Sequence, residues 1–488
     1  MDTTDVLVSE ESLDPVDWSA LRSLGHRMLD DMLTYLETVR ERPVWKKPTP
    51  YAVRRMQDAL PLYPQEAESV YEDFLSQVLP YNVNNIHPRF WAWVQGSGTA
   101  EGMLADMLAS GMNANVSIGD HMPMYVEQQV LNWSKEIFGF SVSAGGILTS
   151  GASIANITAL VVARNYFSKL IKQGGLRSLP GQMTIYGSSE THNCLLKAVE
   201  IIGIGSDHFR KVPVDSQFRI RLDILQKMVS EDRQAGNLPF CVVGNAGTVN
   251  TGAIDDLEGI FRVAQKENLW FHVDGAFGAI PRILPEFEDQ LKWIERADSL
   301  AFDFHKWFYM NYEVGAVLIR DSKIQRDTFA YPATYLSVHE KGLSGGPDPF
   351  SNYGMELSRG FKALKVWMLL KEHGLQKYAS LIRQNISQAR YLGSLAEEHE
   401  ELELLTPVSL NIVCYRYNPG GLSEADLNGL NKEILMQLQL EGIAAPSYTL
   451  LKGKYALRVA ITNHRSRRQD FDLLAEATCR IGRSLAGK

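Results

Sequence analysis

The chain has 488 residues, 45% hydrophobic and 22% charged, a balance ordinary for folded globular protein that excludes disorder as its main state. Its 49 Lys and Arg against 57 Asp and Glu leave a formal charge of −8, which argues against a general binder of nucleic-acid backbones. Cys194, Cys241, Cys414 and Cys479 lie far apart with no CxxC pair, so neither a zinc ribbon nor a disulfide scaffold is expected, and a reduced, cytoplasmic setting fits.

The opening MDTTDVLVSEESLD is acidic and lacks the basic and apolar regions of a signal peptide. No stretch approaches the roughly 20 apolar residues that span a bilayer, so no membrane partner is expected. Residues 17–42 read as a helix, because Leu21, Leu24, Met28, Met32, Leu36 and Val39 recur at helical spacing before Pro43 stops the pattern. A second helix is expected over 66–78, with Val70, Phe74 and Val78 on one side. Two such helices form no core alone; they need the rest of the chain or a second copy. From about 87 to 380 short apolar runs alternate with helical periodicity: GGILTS before IANITALVVARNYF, MTIYGS, PFCVVGNA before LEGIFRVAQKE, LWFHVDGAF, SLAFDFH and GAVLIRD. Runs buried on both faces and separated by helices predict a mostly parallel sheet sandwiched by helices. The chain closes with a β-α-β-α pattern: SLNIVCYRY, LSEADLNGLNKEILMQLQLEG, YALRVAIT and RQDFDLLAEATCRIGRSLAG. The expected division is an N-terminal helical segment (1–85), a large α/β domain (86–385) and a small C-terminal α+β domain (386–488).

In such a sheet, ligands sit beyond the carboxyl ends of the strands. Asp274 follows LWFHV; it is either a helix cap or metal ligand, or a carboxylate paired with a protonated ring nitrogen. Lys306 follows SLAFDFH among Phe302, Phe304, Trp307, Phe308 and Tyr309. Most lysines are solvated, but an amine in an apolar wall is expected to have a lowered pKa and to be free to condense with a carbonyl. Gly151, Ala152 and Ser153 fall at a strand–turn–helix junction, where exposed N–H groups and small side chains make either an ordinary turn or a cup for one phosphate. Neither a G-x-G-x-x-G nor a P-loop pattern is present. His192 is a structural cap, or a ring stacked on a flat cofactor that also handles protons. Taken in chain order, phosphate cup, His192, Asp274 and Lys306 point to pyridoxal 5′-phosphate. No metal is implied.

The segments GILTSGASIAN, HVDGAFGA and DSLAFDFHKW, in this order along the chain, resemble the group II pyridoxal-phosphate-dependent amino-acid decarboxylases, nearest the aromatic-L-amino-acid branch, over most of the chain. The resemblance implies the PLP-dependent transferase-like fold of aspartate aminotransferase (fold type I). It implies Lys306 as the Schiff-base lysine and Asp274 as the partner of the pyridine nitrogen. Ala276 would pack on the ring face opposite His192, Ala152 and Ser153 would bind phosphate with help from His305, and Thr248 would reach the pocket. Tyr335, in YPATYLSVHEKGLSGGPDPF, matches the family's catalytic tyrosine on a mobile lid; relatives that release aldehydes carry Phe there. Trp91, Trp93 and Val94 would form an apolar substrate surface, while Asn115, Asp120, His121 and Ser358 would face a partner subunit's pocket in a homodimer with shared sites. Where the family most often has Asn-Pro before His-Lys, this chain has Asp303 and Phe304. A carboxylate there would repel a phosphate unless turned away or hydrogen-bonded, so Asp303 stays outside the expected site. The implied reaction is decarboxylation of an L-amino acid, with an aromatic substrate expected, to the amine and CO2. The rivals are an oxygen-consuming aldehyde synthase, an acidic-amino-acid decarboxylase, and a cofactor-binding protein without turnover.

Overall fold

The computed structural model describes residues 11–331 and 341–487. Tertiary contacts divide the chain into two units, one made of the residues up to Arg42 with Lys46–Asn82, the other of Pro43–Trp45 with Val83 onward.

In the first unit the helix Trp18–Glu37 begins where Asp17 caps it, its carboxylate accepting from the N–H of Ser19 at 2.8 Å and of Ala20 at 3.2 Å. A short 3₁₀ turn, Val39–Glu41, follows. The helix Ala67–Asp73 runs on into a π turn, Phe74–Val78, rather than remaining regular to its end. Tyr71 ties the two helices by donating to Asp31 Oδ2 at 2.8 Å, and Arg27 pairs with Glu68 and Glu72. Of the expected seam Leu24 and Val39 are buried, whereas Leu21 and Met28 stay exposed, as do Val70 and Val78.

The second unit holds two sheets. The larger comprises β2 (Gly145–Thr149), β3 (Met183–Ser188), β4 (Phe209–Val212), β5 (Leu238–Asn245), β6 (Trp270–Asp274), β7 (Ser299–Asp303) and β8 (Gly315–Ile319), in the order β2-β8-β7-β6-β5-β3-β4. Only β8 runs against its neighbours. Val243, Val273, Leu300 and Val317 are fully buried, which is why these strands read as unbroken apolar runs. The smaller sheet joins β1 (Phe90–Trp91), β9 (Leu402–Leu404), β10 (Ile412–Tyr417), β11 (Ala445–Leu451) and β12 (Lys454–Ala460) in the order β1-β11-β12-β10-β9. Its hairpin β11–β12 turns through Lys452 (φ 51°) and Gly453 (φ 86°), the left-handed pair that matches strand twist. The sequence pattern gave no sign of β11, because Pro446 interrupts it and Tyr448 and Leu450 face outward.

The parallel strands end together, so Ser188, Asn245, Asp274 and Asp303 close β3, β5, β6 and β7 on one edge of the sheet. Two glycines let other chain segments approach it. A Cβ on Gly96 would lie 2.1 Å from the His305 carbonyl oxygen and 2.5 Å from that of Lys306; one on Gly315 would lie 2.4 Å from Asp303 Oδ1. Either contact is far inside van der Waals distance, so any larger residue must push these backbones apart.

Candidate active site

A cavity of about 370 Å³ opens at that sheet edge, within the range of small-molecule sites. Trp93, Val94, Ala152, Ser153, His192, Asp274, Ala276 and Lys306 all line it, so residues distant in sequence meet at one place. Asp274 is 6% exposed and accepts from the Ala276 N–H at 3.2 Å. Burial pushes its pKa up, opposed by the nearby Lys306 and His192. A buried carboxylate held by one backbone donor calls for a cationic or protonated partner.

His192 caps the helix Asn193–Ile201, its Nδ1 accepting from the Cys194 N–H at 3.2 Å. That bond leaves Nε2 to carry the proton of the neutral ring. Surrounding protein pushes the imidazole pKa down, against the pull of Asp274. Across the cavity the helix Ala152–Phe167 starts at Gly151 with no side-chain cap and no acidic residue in its first turn. Its free N–H groups and positive dipole end form an anion site beside Ala152 and Ser153. A Cβ on Gly151 would come 3.2 Å from His305 Cε1, so His305 backs this cup; its Nδ1 contacts Val314 O at 3.0 Å and the Val314 N–H at 3.1 Å.

Lys306 departs from expectation. Burial alone would lower its pKa, but the charge of Asp303 and a hydrogen bond to it, with Asp274 beyond, outweigh burial and raise it. Nζ lies 2.8 Å from Asp303 Oδ2, and the Asp303 side chain is 2% exposed. Asp303, set aside because of its charge, is therefore the direct partner of the lysine.

Three other expectations change. Trp91 is buried on the far side, stacked on Phe471 at 4.9 Å with its indole N–H on Ser466 Oγ at 3.1 Å. Trp91 and Trp93 are two apart and would share a face in a continuous strand; Trp93 has φ 56°, and that left-handed step swings it alone into the cavity. Thr248 does not line the cavity: its hydroxyl meets Thr251 Oγ1 at 3.0 Å and accepts from the Ala253 N–H at 3.1 Å. His305 lies behind the cup rather than on the cavity wall. Tyr335 lies outside the described residues. Asn115 accepts from the Arg359 N–H at 3.0 Å, Asp120 from the Tyr125 hydroxyl at 2.6 Å, and Ser358 is exposed.

Sequence reasoning missed Phe277, Tyr312, Tyr448 and Arg458, which also line the cavity. Tyr312, six positions past Lys306, packs against His305 with ring centroids 4.4 Å apart and planes tilted by 34°. Arg458 is 3% exposed and donates to Trp93 O at 2.8 Å, Asn250 O at 3.2 Å, Ser447 Oγ at 3.1 Å and Val249 O. No local pattern marked Tyr312 or Arg458 as cavity residues. The donor set fits pyridoxal 5′-phosphate: an uncapped helix N-terminus for the phosphate, a buried carboxylate for the ring nitrogen, an amine for the aldehyde, and His192 and Ala276 on the same cavity wall for the ring faces.

A sequence model described as the pyridoxal-dependent decarboxylase conserved domain matches residues 50–418. An aromatic-L-amino-acid decarboxylase of Bacillus atrophaeus is 33% identical over 92% of this chain and 93% of its own length. A phenylacetaldehyde synthase of Arabidopsis thaliana is 29% identical over 93% and 94%. The crystal structure of Oryza sativa TDC with PLP and tryptamine matches with a TM-score of 0.90 at 23% identity, over 97% of this chain and 100% of that one, a likeness of fold.

Proposed function

Because the chain belongs to the pyridoxal-dependent decarboxylase family, and is thereby an amino-acid carboxy-lyase that works with pyridoxal 5′-phosphate, we propose that it converts an aromatic L-amino acid to its amine and CO2 in the cavity between Asp274 and Lys306. The meeting of those two side chains in one cavity with His192 carries the reading. The residues that would hold the cofactor are Lys306 at its aldehyde, Asp274 at its ring nitrogen, His192 and Ala276 on its faces, and the N–H groups of Ala152 and Ser153 at its phosphate. Bound there, the cofactor supplies an electron sink for the pair left by the departing carboxylate.

The rest is the work of the chain. Trp93, Phe277 and Tyr448 offer aromatic surface to a substrate side chain, and Val94 adds an apolar edge. Arg458 fixes this wall by gripping the carbonyls of Trp93, Val249 and Asn250. With its donors so engaged, Arg458 is not free to bind a side-chain carboxylate, which disfavours an acidic substrate. Tyr335 serves as proton donor to the substrate carbon, and the Nε2 proton of His192 as relay. Apolar walls weaken the solvation of the substrate carboxylate and favour its departure. No described helix is long and apolar enough to cross a membrane, and Cys194, Cys241, Cys414 and Cys479 are free and buried; both support a cytoplasmic enzyme. The exposed apolar residues Leu21, Met28, Val70 and Val78 of the N-terminal helices support a homodimer whose sites are shared, Ser358 reaching the partner's cofactor.

The test is mass-spectrometric identification of products from the holoenzyme with each common amino acid, ammonia measured alongside. An aromatic amine without ammonia is expected. Aldehyde and ammonia in equal amounts would establish the synthase reading that the Arabidopsis relative raises, and overturn this one.

A further inference from the structure

We propose that Asp303 is a latch on Lys306: it stores the unliganded lysine as an ammonium and takes the proton that this ammonium sheds when Nζ captures the cofactor's aldehyde. The inference rests on the cofactor reading above and adds a residue to it. Its basis is geometric. Asp303 closes β7, and its Oδ2 lies 2.8 Å from Lys306 Nζ. Oδ1 is buried, has no hydrogen-bond partner among the described residues, and lies against Gly315 and Gly151 beside the phosphate cup. The carboxylate oxygen that faces Nζ is a proton acceptor; the amide of an Asn in this place would not be one.

The surroundings decide the direction. Asp303 is faced by Lys306 and by His305, whose Nε2 is 3.6 Å away, from its own segment, and by Tyr312 from the following turn. Asp274 faces it from β6, and His192 and Cys194 from the start of their helix. Burial holds both imidazoles below their ordinary pKa and the Cys194 thiol up at about 12, so Lys306 is the cation that two carboxylates share. Only the free amine attacks a carbonyl, so the latch slows capture at neutral pH. When capture occurs, the Nζ–carbon bond forms and the aldehyde oxygen leaves as water with two of the three ammonium protons. The third passes along the existing hydrogen bond to Asp303 Oδ2. Nothing is oxidised or reduced, and hydrolysis runs the same path backward.

The experiment adds pyridoxal 5′-phosphate to cofactor-free protein at pH 6 to 10.5 and follows the covalent Lys306 adduct by visible absorbance and by mass after borohydride trapping. In the wild type the rate should still be climbing at pH 10. Asp303→Asn should move the profile down by about one pH unit or more, which is about tenfold faster capture at pH 7.5. An unchanged profile, or slower capture at every pH, overturns the latch. Asp303→Ser serves if the Asn variant does not fold. A wild-type profile that levels off below about pH 9 also overturns the latch, since that is how an unlatched buried amine behaves. If no adduct forms on Lys306 at all, or if one survives Lys306→Ala, the cofactor reading itself fails. A normal adduct insensitive to Asp303 removes the latch alone.

Discussion

Asp274 shows how one side chain can be read for its chemistry. It stands at a strand end, buried, with one backbone donor and, among the described residues, no arginine or lysine in direct contact. Such a carboxylate stays charged only if something cationic or protonated comes to it. Replacing it with Asn keeps the volume and removes the charge. We expect Asp274→Asn to retain the borohydride-trappable Lys306 adduct while kcat falls about 10²- to 10³-fold, the scale of losing one preorganised electrostatic group. Steady-state kinetics beside mass-spectrometric adduct counting checks this; unchanged turnover would remove Asp274 from the chemistry. The contrast with Asp303 is instructive. Both are strand-end aspartates in the sequence, but one faces a slot and the other a lysine, and only coordinates separate them.

Elements carry the next level. The helix Met122–Phe138, β2 and the segment around Ser358 are pinned by one buried ion pair, Glu127 with Arg359. Arg359 also donates to Val116 O at 2.7 Å and Leu148 O at 2.9 Å. Burial pushes the Glu127 pKa up, with Arg359 opposing, so the carboxylate depends on its guanidinium. Arg359→Met should cost about 3–5 kcal/mol of stability, because it strands a buried carboxylate, and adding Glu127→Leu should recover most of it. Denaturant titration of the single and double variants checks this; a double variant as unstable as the single one would refute it. What the sequence made legible follows the same physics. Strands β5 to β8 were legible because burial on both faces writes itself as apolar runs, and Asp274 and Lys306 because they end such runs. Trp91 misled because the resemblance assigned neighbouring residues to one surface, whereas Trp91 is buried against Phe471 and the left-handed Trp93 turns into the cavity. β11 and Arg458 were illegible because their roles depend on partners across the fold, such as Asn250 and Trp93, that no local pattern encodes.

At the scale of the molecule the open question is what covers the apolar surface. Leu21 is 45% exposed and Met28 36%, on the same stripe of the helix Trp18–Glu37 as the buried Leu24. Met107, Leu108 and Met112, on the helix Ala100–Met112, are 54%, 48% and 56% exposed. Clustered large apolar side chains on a soluble chain mark protein contact surfaces, and scattered ones do not. The grouping of Met107, Leu108 and Met112 on one helix, with Ser358 also exposed, fits a second copy that completes the site. The native protein should therefore elute at twice the mass of one chain. A paired substitution, Met107→Asp with Met112→Asp, should weaken association at least about tenfold for each charge it buries. If the sites are shared, the released monomers should lose product formation together with association, and restoring dimers at high protein concentration should restore both. Light scattering across a dilution series, with amine formation assayed at each concentration, separates the outcomes. A monomer that retains full turnover would show that each chain builds its site alone.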